Sequence, residues 1–331
     1  MLFVKSINLV LLGQKEDYTT IIKEMGAKKG TSTDISIYDR KIDDVIYTYA
    51  IPNTFPDKIQ PLIQAINLGQ YAILSVTNVD KYLGEQIIAL DSLNFTDGFI
   101  LHSYEVDEEK LRALVRNTSV SRFKLLDSIE HLKQEMTRLE PKGHNDHDDS
   151  HGRDGLPVMV PIDHVFDVKG VGTVVLGIIR QGTVKVYDQL KIMPSGKDVV
   201  IKSIQIHDAP VDISTSSARV GLAIKGISVN EISRGDVICS SGYMEVSTSA
   251  NPIHAKFVKN SYYKGDLADN QIYLFACGLQ VKPVKVKKTL SEEIEIIPDK
   301  PIVFLPNTTY ILLKPANQGT RIIGKGILLD K

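Results

Sequence analysis

The sequence predicts an α/β domain followed by two all-β barrels, and three observations lead there. Short apolar runs alternate with helically spaced segments through the first third. A polar, breaker-rich stretch interrupts that pattern at residues 136–157. Beyond it, short Val/Ile-rich segments alternate with glycine-containing turns, and no helical period appears. The length agrees: 331 residues exceed the roughly 250–300 at which a single core stops growing.

Taken in order, residues 7–12 are an apolar run closed by Gly13, and residues 18–25 follow with helical spacing. Residues 45–51, 72–76 and 98–101 read as further strands, and 84–93 and 108–116 as helices. Strands separated by helices imply a parallel sheet covered on both faces. The stretch MTRLEPKGHNDHDDSHGRDGLP, residues 136–157, has no apolar period and reads as a linker. Strand-like segments then recur at 158–166, 172–179, 189–193, 199–207, 220–225 and 237–239, and a second all-β block runs from about residue 252 to the end. The expected divisions are an α/β domain over 1–140, a His/Asp-rich linker over 141–157, and barrels over 158–248 and 249–331.

Composition narrows the function. Hydrophobic residues make up 43% and charged residues 24%, as in an ordinary globular protein. Leu9, Val10, Leu11 and Leu12 form a run far shorter than the roughly 20 residues of a membrane span, with no basic leader before it. A cytoplasmic protein without membrane contact is expected. The two cysteines, Cys239 and Cys277, have no ligand spacing and read as small buried apolar residues. Net charge is −1, but the residues from Asn251 onward carry a formal +5. A neutral chain with a basic terminal third can still present a phosphate-binding face.

Residues 161–177, PIDHVFDVKGVGTVVLG, resemble the opening of the second domain of elongation factor Tu and SelB. Gly170 and Gly172 suit a turn with positive φ, and Gly177 suits a strand bend at a barrel corner. The resemblance continues in GTVKVYD (182–188) and in VGLAIKGISVNEISRGDVI (220–238), where Arg234 and Gly235 fall on an R-G motif. RIIGKGIL (321–328) is similar to the strand that closes the third domain. The sequence is thereby identified as similar to the translational-GTPase superfamily, most of all to archaeal SelB-like factors whose nucleotide motifs can be missing.

That resemblance implies a nucleotide-binding first domain, whose motifs can be compared. A P-loop needs G-x-x-x-x-G-K-[ST] so that backbone amides wrap the phosphates and the lysine reaches them. Here the stretch after the first strand is Gly13-Gln14-Lys15-Glu16-Asp17-Tyr18-Thr19-Thr20. Gly13 and Thr20 match; Tyr18 stands where glycine is needed and Thr19 where lysine is. Of D-x-P-G-H, residues 50–54 (AIPNT) keep only Pro52, and at the base-reading N-K-x-D the chain has His102-Ser103-Tyr104-Glu105. Asn78-Val79-Asp80-Lys81 has the wrong residue order and lies one helix too early. These departures predict a pseudo-GTPase: no enzyme activity, no cofactor and no metal.

In the family the second domain holds the aminoacyl end of tRNA and the third follows its backbone. The resemblance places the aminoacyl pocket on Asp163, His164, Phe166 and Arg219. Arg219 keeps a SelB-like positive group, whereas His164 departs from both relatives. Phe166 has two readings, a platform for the terminal adenosine or a core residue. Lys282, Lys285, Lys287 and Lys288 are candidates for backbone phosphates, the alternative being a lysine-protected sheet edge. Tyr262 and Tyr263 are open between stacking and packing. His144, His147 and His151, among Asp146, Asp148, Asp149 and Asp154, could hold zinc or nickel but read better as a solvated linker. The expected function is a monomeric elongation-factor-like carrier of tRNA or aminoacyl-tRNA. Its rival is a scaffold that binds the ribosome or another translation protein, and a third reading is a divergent nucleotide-binding enzyme.

Overall fold

The computed structural model describes residues 5–142, 155–289, 292–315 and 319–330. The linker histidines His144, His147 and His151 and their acidic neighbours lie outside the described residues.

The first domain comprises β1 (Lys5–Leu12), α1 (Lys15–Glu24), β2 (Lys28–Ser32), β3 (Ile35–Ile42), β4 (Val45–Pro52), α2 (Gln60–Leu68), β5 (Tyr71–Val76), α3 (Lys81–Ser92), β6 (Gly98–His102), α4 (Glu108–Val115), β7 (Lys124–Leu126) and α5 (Ile129–Met136). Its sheet runs β2-β3-β4-β1-β5-β6-β7. The strands from β4 to β7 are mutually parallel, as the alternating pattern implies. After Lys5 every residue of β1 is buried, because helices cover both faces of the sheet. The pattern did not reveal the antiparallel β2–β3 hairpin or α2.

The first barrel contains β8 (Met159–Val168), β9 (Gly172–Ile178), β10 (Thr183–Lys185), β11 (Gln189–Met193), β12 (Lys197–Ile206), β13 (Ala209–Val211), β14 (Ile213–Thr215), β15 (Arg219–Lys225) and β16 (Val237–Cys239). The ring β11-β16-β8-β9-β15-β12 closes because β11 also pairs with β12. Gly170 and Gly172 adopt φ of 83° and 94°, in the left-handed region their turn requires. At Gly177 an added Cβ would meet the Pro161 carbonyl oxygen at 2.4 Å, so the two strands approach too closely for a side chain.

The second barrel follows with β17 (Glu245–Ser247), β18 (Ile253–Lys259), β19 (Ile272–Cys277), β20 (Gln280–Lys288), β21 (Glu293–Pro298), β22 (Ile302–Phe304), β23 (Thr309–Leu313) and β24 (Ile322–Leu328). Six of these close in the order β18-β21-β20-β19-β23-β24, while β17 pairs separately with β22. Cys239 and Cys277 are buried free thiols, held well above the usual thiol range by burial.

The three parts share apolar packing. Leu62, Ile63 and Ile66 of α2 belong to one buried cluster with Ile178 of the first barrel and Leu279, Ile311 and Ile322 of the second. Polar contacts lock the same joints. Gln64 donates to the Leu279 carbonyl at 2.7 Å, and Asn8 donates to the Ser217 carbonyl at 2.8 Å. Arg321 of the second barrel forms a buried pair with Glu85 of α3.

Candidate functional site

At the C-terminal end of β1, only Gly13 and Gln14 separate the strand from α1. Gly13 has φ 142°, and an added Cβ would lie 2.7 Å from the Ser75 carbonyl oxygen. The Gly13 carbonyl is taken on two sides: the Tyr18 hydroxyl donates to it at 2.9 Å and the Gln86 amide at 3.0 Å. Tyr18 is buried, which raises its phenol pKa strongly, with a further rise from neighbouring Asp17. One oxygen of the Asp17 carboxylate accepts from the Gln14 backbone N–H at 3.3 Å and from the Thr77 hydroxyl at 3.4 Å. A fixed carboxylate therefore engages a backbone amide of the turn where a P-loop would offer amides to phosphate. At the end of β4, Asn53 donates to the Thr33 carbonyl at 2.9 Å and to Ser36 Oγ at 2.6 Å. Beyond β6, Tyr104 stands almost wholly in solvent and its hydroxyl donates to Glu105 at 3.2 Å.

In the first barrel, the β8–β9 register shifts between Ile162 and His164, which places Asp163 at a bulge. A bulge re-aims its side chain, and Asp163 is buried as a result. Its Oδ1 accepts from Arg219 Nη2 at 2.8 Å and lies 2.5 Å from His164 Nδ1. Burial alone would raise the Asp163 pKa; Arg219 and His164 more than offset that and hold the carboxyl below its usual range. Asp163 Oδ2 and Arg219 Nε are buried with no hydrogen-bond partner. Three of the four anticipated pocket residues are thus in direct contact. Phe166 is not among them. It is 38% exposed, which sets aside the core reading for its ring.

The first domain supplies a cover that the sequence did not suggest. Thr33 and Asp34 form the tip between β2 and β3, and Thr33 Oγ1 lies 3.3 Å from His164 Nε2. Arg234 fastens the tip, with Nη1 and Nη2 at 2.9 and 2.8 Å from the Asp34 carboxylate and Nη1 also 3.2 Å from Gln64 Oε1. Its Nε donates to the Asp163 carbonyl at 3.0 Å. Burial tends to raise Asp34, but the Arg234 contacts outweigh it and hold the carboxyl below its ordinary value. The R-G motif marked Arg234 in the sequence, without indicating that it spans two domains.

On β20, Val284 and Val286 point into the barrel while Lys285, Lys287 and Lys288 are exposed. Lys287 approaches Glu295 across the β20–β21 ladder at 3.7 Å. Lys282 stands apart: it is half-buried, its ammonium bonds the Pro301 carbonyl at 2.5 Å, and burial lowers its pKa despite nearby Asp236. Tyr262 is 59% exposed, whereas Tyr263 is half-buried against the second barrel core. Among the described residues no helix is long and apolar enough to cross a membrane.

An α/β domain joined to two closed barrels, with an R-G turn between them, is the architecture of translational elongation factors, and the comparisons agree. Residues 172–239 match elongation factor Tu domain 2. The chain thus carries an elongation factor Tu domain 2 and is similar over its length to SelB-like translational GTPases. An uncharacterized protein of Methanocaldococcus jannaschii is 34% identical over 307 residues, covering 92% of this chain and 95% of that one. The selenocysteine-specific elongation factor of the same organism is 28% identical over 232 residues, 64% of this chain and 48% of its own length. The chain thus matches about half of that factor. The structure of SelB from Methanococcus maripaludis with a GTP analogue aligns at TM-score 0.81 and 19% identity, covering 100% of this chain and 80% of that one. A bacterial selenocysteine-specific factor aligns at 0.79 and 19% identity, covering 98% of this chain and 58% of its own.

Proposed function

We propose that this chain is a SelB- and elongation-factor-Tu-like translation protein that binds tRNA, or aminoacyl-tRNA, through its barrels and works without a GTP timer. The observation that carries the second half is the end of β1. A two-residue turn replaces the phosphate loop, its carbonyl is held by Tyr18 and Gln86, and the Asp17 carboxylate bonds one of its amides. A second negative charge about 4 Å from that carboxylate would be repelled by roughly 1 kcal/mol in water and more in a partly closed site. Thr19 stands where the motif's lysine would reach the phosphates, so of the motif's phosphate- and magnesium-binding side chains only the hydroxyl-bearing Thr20 is kept.

The first half rests on the barrels. The exposed ring of Phe166 is free to meet a nucleobase, and Lys285, Lys287 and Lys288 present three exposed positive charges along one strand. On this reading the protein is a cytoplasmic monomer of archaeal type.

A second reading, a pseudo-GTPase scaffold for the ribosome or another translation protein, is favoured by a specific observation. Asp163 Oδ1, Arg219 Nη2 and both ring nitrogens of His164 have partners within the molecule, beside the Thr33–Asp34 tip, so these atoms are already taken.

Parallel titrations with labelled GTP, GDP and aminoacyl-tRNA at low and moderate salt test both. Salt-sensitive tRNA binding with no nucleotide binding supports the carrier. Tight magnesium-dependent GTP binding overturns the missing timer, and failure to bind any of the three favours the scaffold.

A further inference from the structure

A cavity of about 560 Å³ lies where the three domains meet, between the C-terminal end of α2, the first barrel and the β19–β20 and β22–β23 turns of the second. Arg180, just after β9, lines it. Its Nη2 donates to the Asn67 carbonyl in the last turn of α2, and this is its one side-chain hydrogen bond among the described residues. No carboxylate of the described residues pairs with it. Arg180 is half-buried and lines the cavity. Burial pushes the guanidinium down to about 10, still far above neutrality, so the charge persists.

A guanidinium has five N–H donors in a planar fork. One carbonyl at a helix C-terminus engages one of them and supplies about half a negative charge. A buried cation left otherwise uncompensated is costly, and an anion that accepts from the fork removes that cost. The wall is mixed but more apolar than polar, with Leu68, Phe95, Met244 and Phe304 around the same space and Gln181, Gln280 and Asn307 among its polar groups. The volume falls within the roughly 300–1,000 Å³ of small-molecule sites.

We propose that this junction is a binding site for an organic carboxylate with an apolar body, its carboxylate on the free face of the Arg180 guanidinium and its body against the apolar walls. Such a ligand touches all three domains at once and stabilises their docked arrangement by mass action. The site is separate from the barrel pocket and from the β1–α1 turn, so the proposal does not depend on how either is used.

The test uses octanoate as probe and octanol as its neutral counterpart, by calorimetric titration of the full chain. One-site, saturable octanoate binding at least tenfold tighter than octanol is expected. Arg180→Gln should weaken octanoate at least tenfold and leave octanol unchanged, while Lys202→Gln on the barrel exterior should change neither. Arg180→Lys keeps the charge without the fork and should fall between. Equal affinity for octanoate and octanol, no saturable octanoate binding, or octanoate binding unaffected in Arg180→Gln would each overturn the proposal and leave Arg180 as a cap on α2. The octanoate–octanol comparison on the unaltered chain decides the matter even if Arg180→Gln does not fold.

Discussion

Replacing Glu85 by leucine isolates the joint between the first domain and the second barrel. Arg321 Nε lies 2.9 and 3.1 Å from the two Glu85 oxygens, Nη2 bonds the same carboxylate, and Nη1 donates to the Pro56 carbonyl at 2.7 Å. The guanidinium also sits 5.6 Å from the Phe55 ring centroid. The two side chains are 6% and 11% exposed, so solvent screens them little. Removing the carboxylate leaves a buried cation with one carbonyl and a ring face, which costs about 3–5 kcal/mol. At about 2.1 cal/mol/K of unfolding entropy per residue, a cooperative chain of 331 residues shifts by about 1.4 °C per kcal/mol, so the melting transition should fall by about 4–7 °C in scanning calorimetry. The double variant Glu85→Leu/Arg321→Met removes both charges and should recover most of the loss, since apolar replacement of a buried pair is often near neutral. A drop below about 2 °C in the single variant, or a double variant no better than the single, would refute the claim that this pair locks the joint.

Four other outcomes are expected. Gly235→Ala should cost about 1–3 kcal/mol for its φ of 91°, and more where its Cβ would meet the Gln280 backbone at 2.8 Å; urea unfolding measures it. Asp34→Asn should lower the urea midpoint at pH 7. Because the folded Asp34 pKa is depressed, the wild-type advantage is fully present above the unfolded value of about 3.9 and is lost as pH falls through the folded value, so the two midpoints should converge in acid. If tRNA rides on β20, changing Lys285, Lys287 and Lys288 to alanine should reduce the slope of log affinity against log salt by about 2–3, at 0.7–0.9 per phosphate contact; an unchanged slope removes β20 from the interface. Tyr18→Phe, which frees the Gly13 carbonyl from one donor, should cost about 0.5–1.5 kcal/mol by chemical denaturation.

Glycines and β-branched runs made the barrels legible. Gly170, Gly172 and Gly177 occupy positions whose backbone angles or close contacts exclude other residues, so their spacing carries fold information directly. The first domain was less legible. In α2, seven of nine residues are buried because the helix is wedged between the sheet and the second barrel, and a helix buried all round shows no amphipathic period. β2, KKGTS, is short and polar and gives no strand signal, whereas the alternating Ile35 and Ile37 of β3 carry one; the tip between the two strands lies beside His164. Asp163, His164 and Arg219 are in contact, while their cover by Thr33 and Asp34 depends on contacts more than 130 residues apart. Arg180 carried no motif; only the cavity beside it gives it meaning.

The turn bearing Arg234 and Gly235 has a consequence for assembly. One residue reaches into the first domain through Asp34 and Gln64, and the next lies flat against the backbone of Gln280 in the second barrel. The turn is held in place by Ile162, which exchanges backbone hydrogen bonds with Gly235 and Asp236 at 2.9 Å each. The pairing of β8 with β16 thus sets a turn that touches both neighbours. A change in this one turn would be felt at both of its joints, while Arg321–Glu85 and Gln64–Leu279 still join the first domain to the second barrel directly.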